Sequence, residues 1–424
     1  MTLALGGSRR SAKVVSALGF ALAAVLAVAS PAAADSIRDR EYWISQYGFD
    51  QVWETTKGAG VKVAIIDSGV DGSVADLRGA VVGGTDESGL GSPDGQTPVG
   101  DDPEHGTMVA SVLAGRGTGG RSGVIGVAPE AELLSVSVAF GDSKAERSSD
   151  DQIAAGVRWA VDNGAQVINM SLTRNTKDWP VSWDDAFQYA FDHDVVVVAA
   201  AGNRGSGTDE VGAPATIPGV LTVAGVDRNE IASDDASSQG ITISVSAPSE
   251  QIVGVVPGGG YVQWSGTSAA APIVSGMVAL VRAAHPDLDA NNVIQRVIAT
   301  ATAKSDTVPS PIYGYGLINP PGAVFDEVAL VTSNPMGSLA DWVKIHRRGQ
   351  STNSTGEATV APIIDDDPMN LRLSASLLPT SQSLAFVTLP LSLLTVFATI
   401  AVLLGIVTNR RIHRESRRRF PSDR

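Results

Sequence analysis

Gly266-Thr267-Ser268-Ala269-Ala270-Ala271-Pro272 sets a serine between a glycine-led turn and an apolar helix that runs toward Leu280. A serine hydroxyl is a poor nucleophile until a base takes its proton and a donor stabilises the oxyanion that forms. If Ser268 is such a nucleophile, the chain must also supply a base, an orienting acid and an oxyanion donor.

The chain has five histidines. His346 and His413 fall in segments read below as a tether and a tail, too far along the chain to serve Ser268. His285 stands before Pro286 at a helix end, where a capping role accounts for it. His193, in Asp192-His193-Asp194, reads as a satisfied surface residue. His105 opens an apolar helix in His105-Gly106-Thr107-Met108-Val109-Ala110, where Gly106 and Thr107 admit another backbone closely. Asp67 ends the strand Val63-Ala64-Ile65-Ile66, the position at which open α/β sheets place their sites. Ionised there, it can hold an imidazole in one tautomer and stabilise the imidazolium. Asp71, four residues on, is a rival in a looser loop and suits a turn. Asn203, in Ala199-Ala200-Ala201-Gly202-Asn203, follows a strand and a glycine. Alone it would be a turn residue; beside the other three it can donate its amide to an oxyanion, together with the Ser268 N–H at a helix N-terminus.

Short apolar runs at 61–66, 133–138, 167–170, 195–200, 221–226 and 241–245 alternate with helical patterns. Several are apolar on consecutive residues, as in parallel strands covered on both faces. Helices are expected over 105–114, 150–163, 183–193, 267–284 and 290–301, with Ser149 and Gln152 at capping-box spacing and Asp289 as a further cap. The alternation predicts an α/β domain with a doubly wound, mainly parallel sheet.

The order Asp67, His105, Ser268 separates one common serine triad from the other two. With Asp67-Ser68-Gly69, His105-Gly106-Thr107, Val167-Ile168-Asn169-Met170-Ser171-Leu172, Gly202-Asn203, Gly266-Thr267-Ser268 and Gly314-Tyr315-Gly316-Leu317-Ile318-Asn319, the chain resembles the subtilisin-like serine proteases (subtilases, peptidase family S8) over about 58–325. The resemblance implies a three-layer α/β fold and serine endopeptidase activity through Asp67, His105 and Ser268, with Asn203 in the oxyanion hole. It also implies that Ser171, Leu172 and Thr173 pair with a peptide substrate as an added β-strand. The family usually has glycine where Thr173 stands, a departure that bears on the first specificity pocket. The chemistry needs no cofactor; the family leaves room for structural calcium, although acidic pairs such as Asp101-Asp102 and Asp234-Asp235 read first as solvated loops.

The ends carry a separate message. Residues 1–34 hold Arg9, Arg10 and Lys13, an apolar run from 14 to 29, and Ala32-Ala33-Ala34, the layout of a signal peptide for the general secretory route. The run 384–407 has 24 residues and no charge. It reaches about 36 Å, enough to cross a bilayer core of about 30 Å. Asn409-Arg410-Arg411 and Arg417-Arg418-Arg419 follow, which places the tail in the cytoplasm and the body outside. The expected organisation is signal peptide 1–34, short extension 35–60, catalytic domain 61–330, flexible stalk 331–383 with Asp365-Asp366-Asp367, transmembrane helix 384–408 and basic tail 409–424.

The ends hold 10 of the 31 basic and 2 of the 45 acidic residues, which leaves 21 against 43 in 35–408, a net charge of −22. So acidic a body argues against nucleic acid as a partner. The chain has no cysteine, which excludes thiol catalysis, Cys-based zinc sites and iron–sulfur clusters. Only 32 residues separate Ala34 from Asp67, too few for a large inhibitory propeptide. The short extension, stalk, single helix and basic tail resemble the mycosins, membrane-anchored subtilases attached to type VII secretion systems. That resemblance implies secretion-machinery partners and, as a rival to a mainly proteolytic role, a structural part in such an assembly. Mycosins commonly carry disulfides, which this chain does not.

Overall fold

The computed structural model describes residues 37–119, 122–141, 144–347 and 360–362. The expected signal peptide, transmembrane helix and basic tail lie outside the described residues. Three short helices come first: α1 (Ile37–Arg40), α2 (Tyr42–Gln46) and α3 (Phe49–Val52). They are not a loose extension. Trp43, Phe49 and Val52 have no exposed surface and join the main core, and Trp53 Nε1 donates to the Val127 carbonyl at 2.8 Å.

The body then runs β1 (Lys62–Asp67), β2 (Val81–Asp86), α4 (His105–Ala114), β3 (Glu132–Ser137), α5 (Ser149–Asp162), β4 (Val167–Met170) and β5 (Leu172–Arg174). It continues through α6 (Val181–Asp192), β6 (Val196–Ala200), β7 (Leu221–Val226), β8 (Ile243–Pro248), β9 (Ile252–Val255) and β10 (Tyr261–Trp264). The last elements are α7 (Thr267–Ala284), α8 (Ala290–Ala299), α9 (Pro320–Phe325), α10 (Leu339–His346) and β11 (Val360–Pro362).

Seven strands form one sheet in the order β2-β3-β1-β4-β6-β7-β8, with every adjacent pair parallel. The period-2 geometry of β1 explains its unbroken apolar run. Val63 and Ile65 enter the core that carries α4 and α7; Ala64 and Ile66 enter the opposite core with α5 and α6. This is the three-layer, doubly wound arrangement. The chain leaves β3, passes over β1 and resumes at β4, so β1 and β4 flank the switch point where the crevice opens beyond their carboxyl ends.

Among the described residues one helix, α7, is long and apolar enough to cross a membrane, and it is buried in the body as the central helix of the first core.

Four readings change. The cap of α5 is Ser148, whose hydroxyl accepts the Asp151 N–H; Gln152, the expected capping-box partner, instead accepts from Ala139 N at 2.8 Å and donates to the Arg147 carbonyl. Two elements were not expected: strand β2, and the antiparallel hairpin β9–β10. Finally, residues 331–347, expected in the stalk, pack on the body. Trp342 lies 4.4 Å from Trp179 between ring centroids, and Arg347 Nε donates to Asp184 at 2.8 Å.

Candidate active site

Asp67 sits at the carboxyl end of β1, 1 % exposed, and its Oδ1 accepts the Ser68 N–H at 2.7 Å. His105, at the first turn of α4, is fully buried, and its Nδ1 lies 2.8 and 3.0 Å from the two Asp67 carboxylate oxygens. Glycine at 106 is what allows this approach. A Cβ there would fall 2.3 Å from the Gly69 carbonyl oxygen, a distance no side chain tolerates. Ser68 Oγ accepts the Gly106 N–H at 3.0 Å and Thr107 Oγ1 accepts the Asp71 N–H at 3.0 Å, so the β1 loop and α4 are tied at two further points. The Asp71 carboxylate caps Ser73 and accepts from Gly258 N, the turn role expected of it.

The Asp67 bond fixes the proton of neutral His105 on Nδ1 and turns Nε2 to the other side. Nε2 is buried and has no hydrogen-bond partner among the described residues. Burial works against the imidazolium, but the adjacent Asp67 carboxylate outweighs it, with Asp102 adding, and holds the His105 pKa above its ordinary value. Burial raises the Asp102 carboxyl too, with His105 drawing it back. Trp264 closes the other side of the imidazole, edge to face at 5.6 Å between centroids.

Ser268 lies in the first turn of α7, directly after Gly266, whose φ of 137° only glycine adopts easily. Proline at 272 cannot donate to the carbonyl four residues back, which is that of Ser268. Ser171 Oγ takes its place, donating to the Ser268 carbonyl at 2.9 Å. In return Ser268 Oγ donates to the Ser171 carbonyl at 3.2 Å. Asn169 continues this buried polar chain: its Nδ2 donates to Ser171 Oγ at 3.0 Å, and its Oδ1 accepts from Ser275 Oγ at 2.8 Å. Thus β4 is joined to two turns of α7.

Asn203, after β6, uses Oδ1 to accept from the Thr267 N–H at 2.8 Å and Thr267 Oγ1 at 2.9 Å. Its Nδ2 is left buried with no partner among the described residues, beside the N-terminus of α7. A buried donor without an acceptor is costly, on the order of 1–3 kcal/mol, and implies an acceptor supplied from outside.

The expected residues therefore fall into two bonded groups: Asp67 with His105, and Ser268 with Ser171 and, through Thr267, Asn203. Leu172 and Thr173 form β5, leading away from Ser171. Sequence reasoning missed Ser68, Asn169, Thr267 and Ser275, polar residues buried in otherwise apolar elements. Ser68, Asn169 and Thr267 stand inside the motifs quoted above, but their bonding roles appear only in the structure; Ser275 stands outside those motifs.

A buried aspartate–histidine pair, a serine at a helix N-terminus and an unpaired amide donor, all at the switch point of a parallel α/β sheet, define a hydrolase of the serine peptidase class. The subtilase family pattern (Peptidase_S8) matches residues 58–316. The chain belongs to that family. It is 37 % identical over 265 residues to subtilisin DY of Bacillus licheniformis, covering 62 % of this chain and 90 % of that protein. It is 38 % identical over 265 residues to subtilisin E of Bacillus subtilis, covering 62 % and 65 %. Similar solved structures include MycP1 with its N-terminal propeptide removed, at 30 % identity and TM-score 0.59, over 70 % of this chain and 99 % of that one. The MycP3 protease from the type VII (ESX-3) secretion system is similar at 31 % identity and TM-score 0.58, over 68 % and 88 %.

Proposed function

We propose that the protein is a membrane-anchored extracytoplasmic serine endopeptidase. Ser268 attacks the scissile carbonyl, and His105 Nε2 takes the serine proton and returns it to the leaving amine. Asp67 holds the imidazole tautomer, and Asn203 Nδ2 with the Ser268 N–H receives the oxyanion. Water then hydrolyses the acyl-enzyme, while Ser171, Leu172 and Thr173 hold the peptide extended. The observation that carries this reading is the pair of buried, unpartnered atoms, His105 Nε2 and Asn203 Nδ2. They are the base and the oxyanion donor that a serine mechanism requires, and every other polar atom of those two side chains is bonded within the fold.

Asp234 is ion-paired with Arg204 at 3.0 Å, and among the described residues no three His, Cys, Asp or Glu side chains cluster. No step is assigned to a metal. Anchoring rests on the charge-free run 384–407 and the basic tail behind it, and the outward orientation on the signal-like segment 1–34. The likeness to MycP1 and MycP3 supports work beside a secretion assembly. It also favours one second reading, in which the anchored body is chiefly a structural subunit of that assembly.

Labelling of the full chain in detergent by a fluorophosphonate tests the proteolytic reading: Ser268 is modified, and Ser268→Ala is not. Absence of labelling on Ser268 would sink it. Export that survives Ser268→Ala but fails on deletion of the whole protein would favour the structural role.

A further inference from the structure

Asn169 lies in the middle of the sheet, its backbone in register with Ile65 of β1 and Val198 of β6. By the period of a strand its side chain shares a face with Val167, which enters the first core beside α7, as do Ile65 and Val198. An amide therefore stands in an apolar layer. Ser275 meets it from α7, two turns after Ser268 and so on the same face of the helix. Asn169 and Ser275 are both fully buried. A branched aliphatic side chain opposite an alanine would fill this layer with no polar group to satisfy, and such a replacement can be nearly neutral for stability. What the polar pair supplies beyond packing is direction.

That direction is fixed from its end point. The Ser268 carbonyl can only accept, and Pro272 withholds the N–H that a helix would ordinarily bring to it. Ser171 Oγ, 2.9 Å away, turns its single hydrogen there. The same oxygen must then accept from Asn169, which only the amide nitrogen can provide, at 3.0 Å. This choice points Asn169 Oδ1 at Ser275, whose hydroxyl donates to it at 2.8 Å. The hydrogens run one way, from Ser275 to Asn169 to Ser171 to the Ser268 carbonyl.

The run can be broken at its start. Without the Ser275 hydroxyl, no bond from α7 selects between the two orientations of the amide, and the flipped one offers Oδ1 to Ser171. An oxygen at that place draws the Ser171 hydrogen away from Ser268.

The Ser268 carbonyl belongs to the first turn of α7, which carries both the nucleophile and its N–H. The residue before it is held by Asn203, which accepts the Thr267 N–H at 2.8 Å. The carbonyl after it is held by Ser171, whose own carbonyl accepts the Ser268 hydroxyl at 3.2 Å. Oxyanion stabilisation relies on donors set in advance, to within about half an ångström. A carbonyl released from Ser171 loosens the Ser268 N–H relative to Asn203 Nδ2.

We propose that Ser275 and Asn169 are positioning residues for Ser268. They set the direction of the Ser171 hydroxyl and through it hold the first turn of α7 in the geometry of attack. Both act from within the core, through Ser171. This rests on the proteolytic reading above.

The test uses the full chain in detergent and fluorophosphonate labelling of Ser268, resolved into a maximal rate and a half-saturating concentration. Wild type is compared with Ser275→Ala, Ser275→Thr, Ser171→Ala and the double variant Ser275→Ala with Ser171→Ala, each with its denaturant midpoint. Ser275→Ala is expected to lower the maximal rate about tenfold and leave the half-saturating concentration unchanged. Ser275→Thr keeps the hydroxyl and should return to within about twofold of wild type. The double variant should be no slower than Ser171→Ala alone, because nothing then remains for Ser275 to orient. A merely structural role would lower the midpoint and leave the labelling rate where it was. Should Ser275→Ala lose its fold, Ser275→Cys, a near match in shape with a weak donor, carries the same comparison with a loss of about threefold. Labelling of wild type and the folded variant at one rate overturns this inference and leaves the proteolytic reading standing. A folded threonine variant as slow as the alanine one overturns the role of the hydroxyl. A double variant slower than Ser171→Ala by the full tenfold overturns the route through Ser171. No labelling of Ser268 in wild type overturns the proteolytic reading and this inference with it.

Discussion

Glu41, in the short N-terminal segment, is 4 % exposed, and its Oε1 accepts the Ile125 N–H at 2.7 Å. Burial pushes its carboxyl up to about 8, against the pull of Arg38 and the Ile125 N–H, with Asp76 adding to the rise. A carboxyl raised in the folded state binds its proton more tightly there than in the unfolded chain. Stability is therefore full below about pH 4.5 and declines as pH rises to about 8. At about 1.4 kcal/mol for each pH unit across that window, the loss approaches 5 kcal/mol. Glu41→Gln keeps an oxygen for Ile125 N and has nothing to ionise. Denaturant unfolding of full chains, in a Ser268→Ala background to prevent autolysis, should give a stability difference, variant minus parent, that climbs steadily between pH 5 and 8. Any cost of the amide beside Arg38 is constant with pH, so the slope is the readout. Parallel pH profiles for the two proteins would refute the reasoning. Asp76, Arg38 and Tyr261 surround the same site and are common to both.

Asn203→Ala should lower kcat by about 10²–10³ with KM little changed, a magnitude known from a subtilisin; steady-state hydrolysis of a peptide substrate checks it. Ser171→Ala removes the hydroxyl that donates to the Ser268 carbonyl, a bond Pro272 cannot supply, and should cost about 1–3 kcal/mol of stability by denaturant unfolding. Because His105 must be neutral to act as base and its pKa is raised, kcat/KM should climb with pH through a value above that of an ordinary histidine. Asp102→Asn removes a charge that favours the imidazolium, so this acid limb should move to lower pH; an unmoved limb would count against the assignment.

Much of this was legible in the sequence. Asp67, His105, Ser268 and Asn203 each stand at an element boundary beside small residues, and the fold needs both features there. Glycine 106 is the clearest case, since its signal in the chain and its steric cause are the same. The strand Val81–Asp86 escaped because Gly83-Gly84 reads as a turn. In the structure Gly84 is small for another reason, as a Cβ would meet the Asp94 carbonyl oxygen at 2.0 Å. Gln152 has the spacing of a cap, but tertiary structure spends its amide on Ala139. The helix Leu339–His346 is too short for its period to stand out, and it is held by Trp342 on Trp179 rather than by propensity. The network of Asn169, Ser171 and Ser275 links β4 to α7 across 106 residues, and a linear pattern carries no trace of such pairing.

The position of β1 in the sheet has a consequence for biogenesis. Its two neighbours, β3 and β4, both come later in the chain, and the helix bearing Ser268 follows all seven strands of the sheet. Every crossover is long-range, so the domain has high contact order and should fold slowly. A polypeptide emerging from its N-terminus carries Asp67 and His105 well before Ser268, and no partial product holds a complete reaction centre. Slow, late assembly is thus a timer set by topology: the chain stays an inert polymer until the last of these parts has docked.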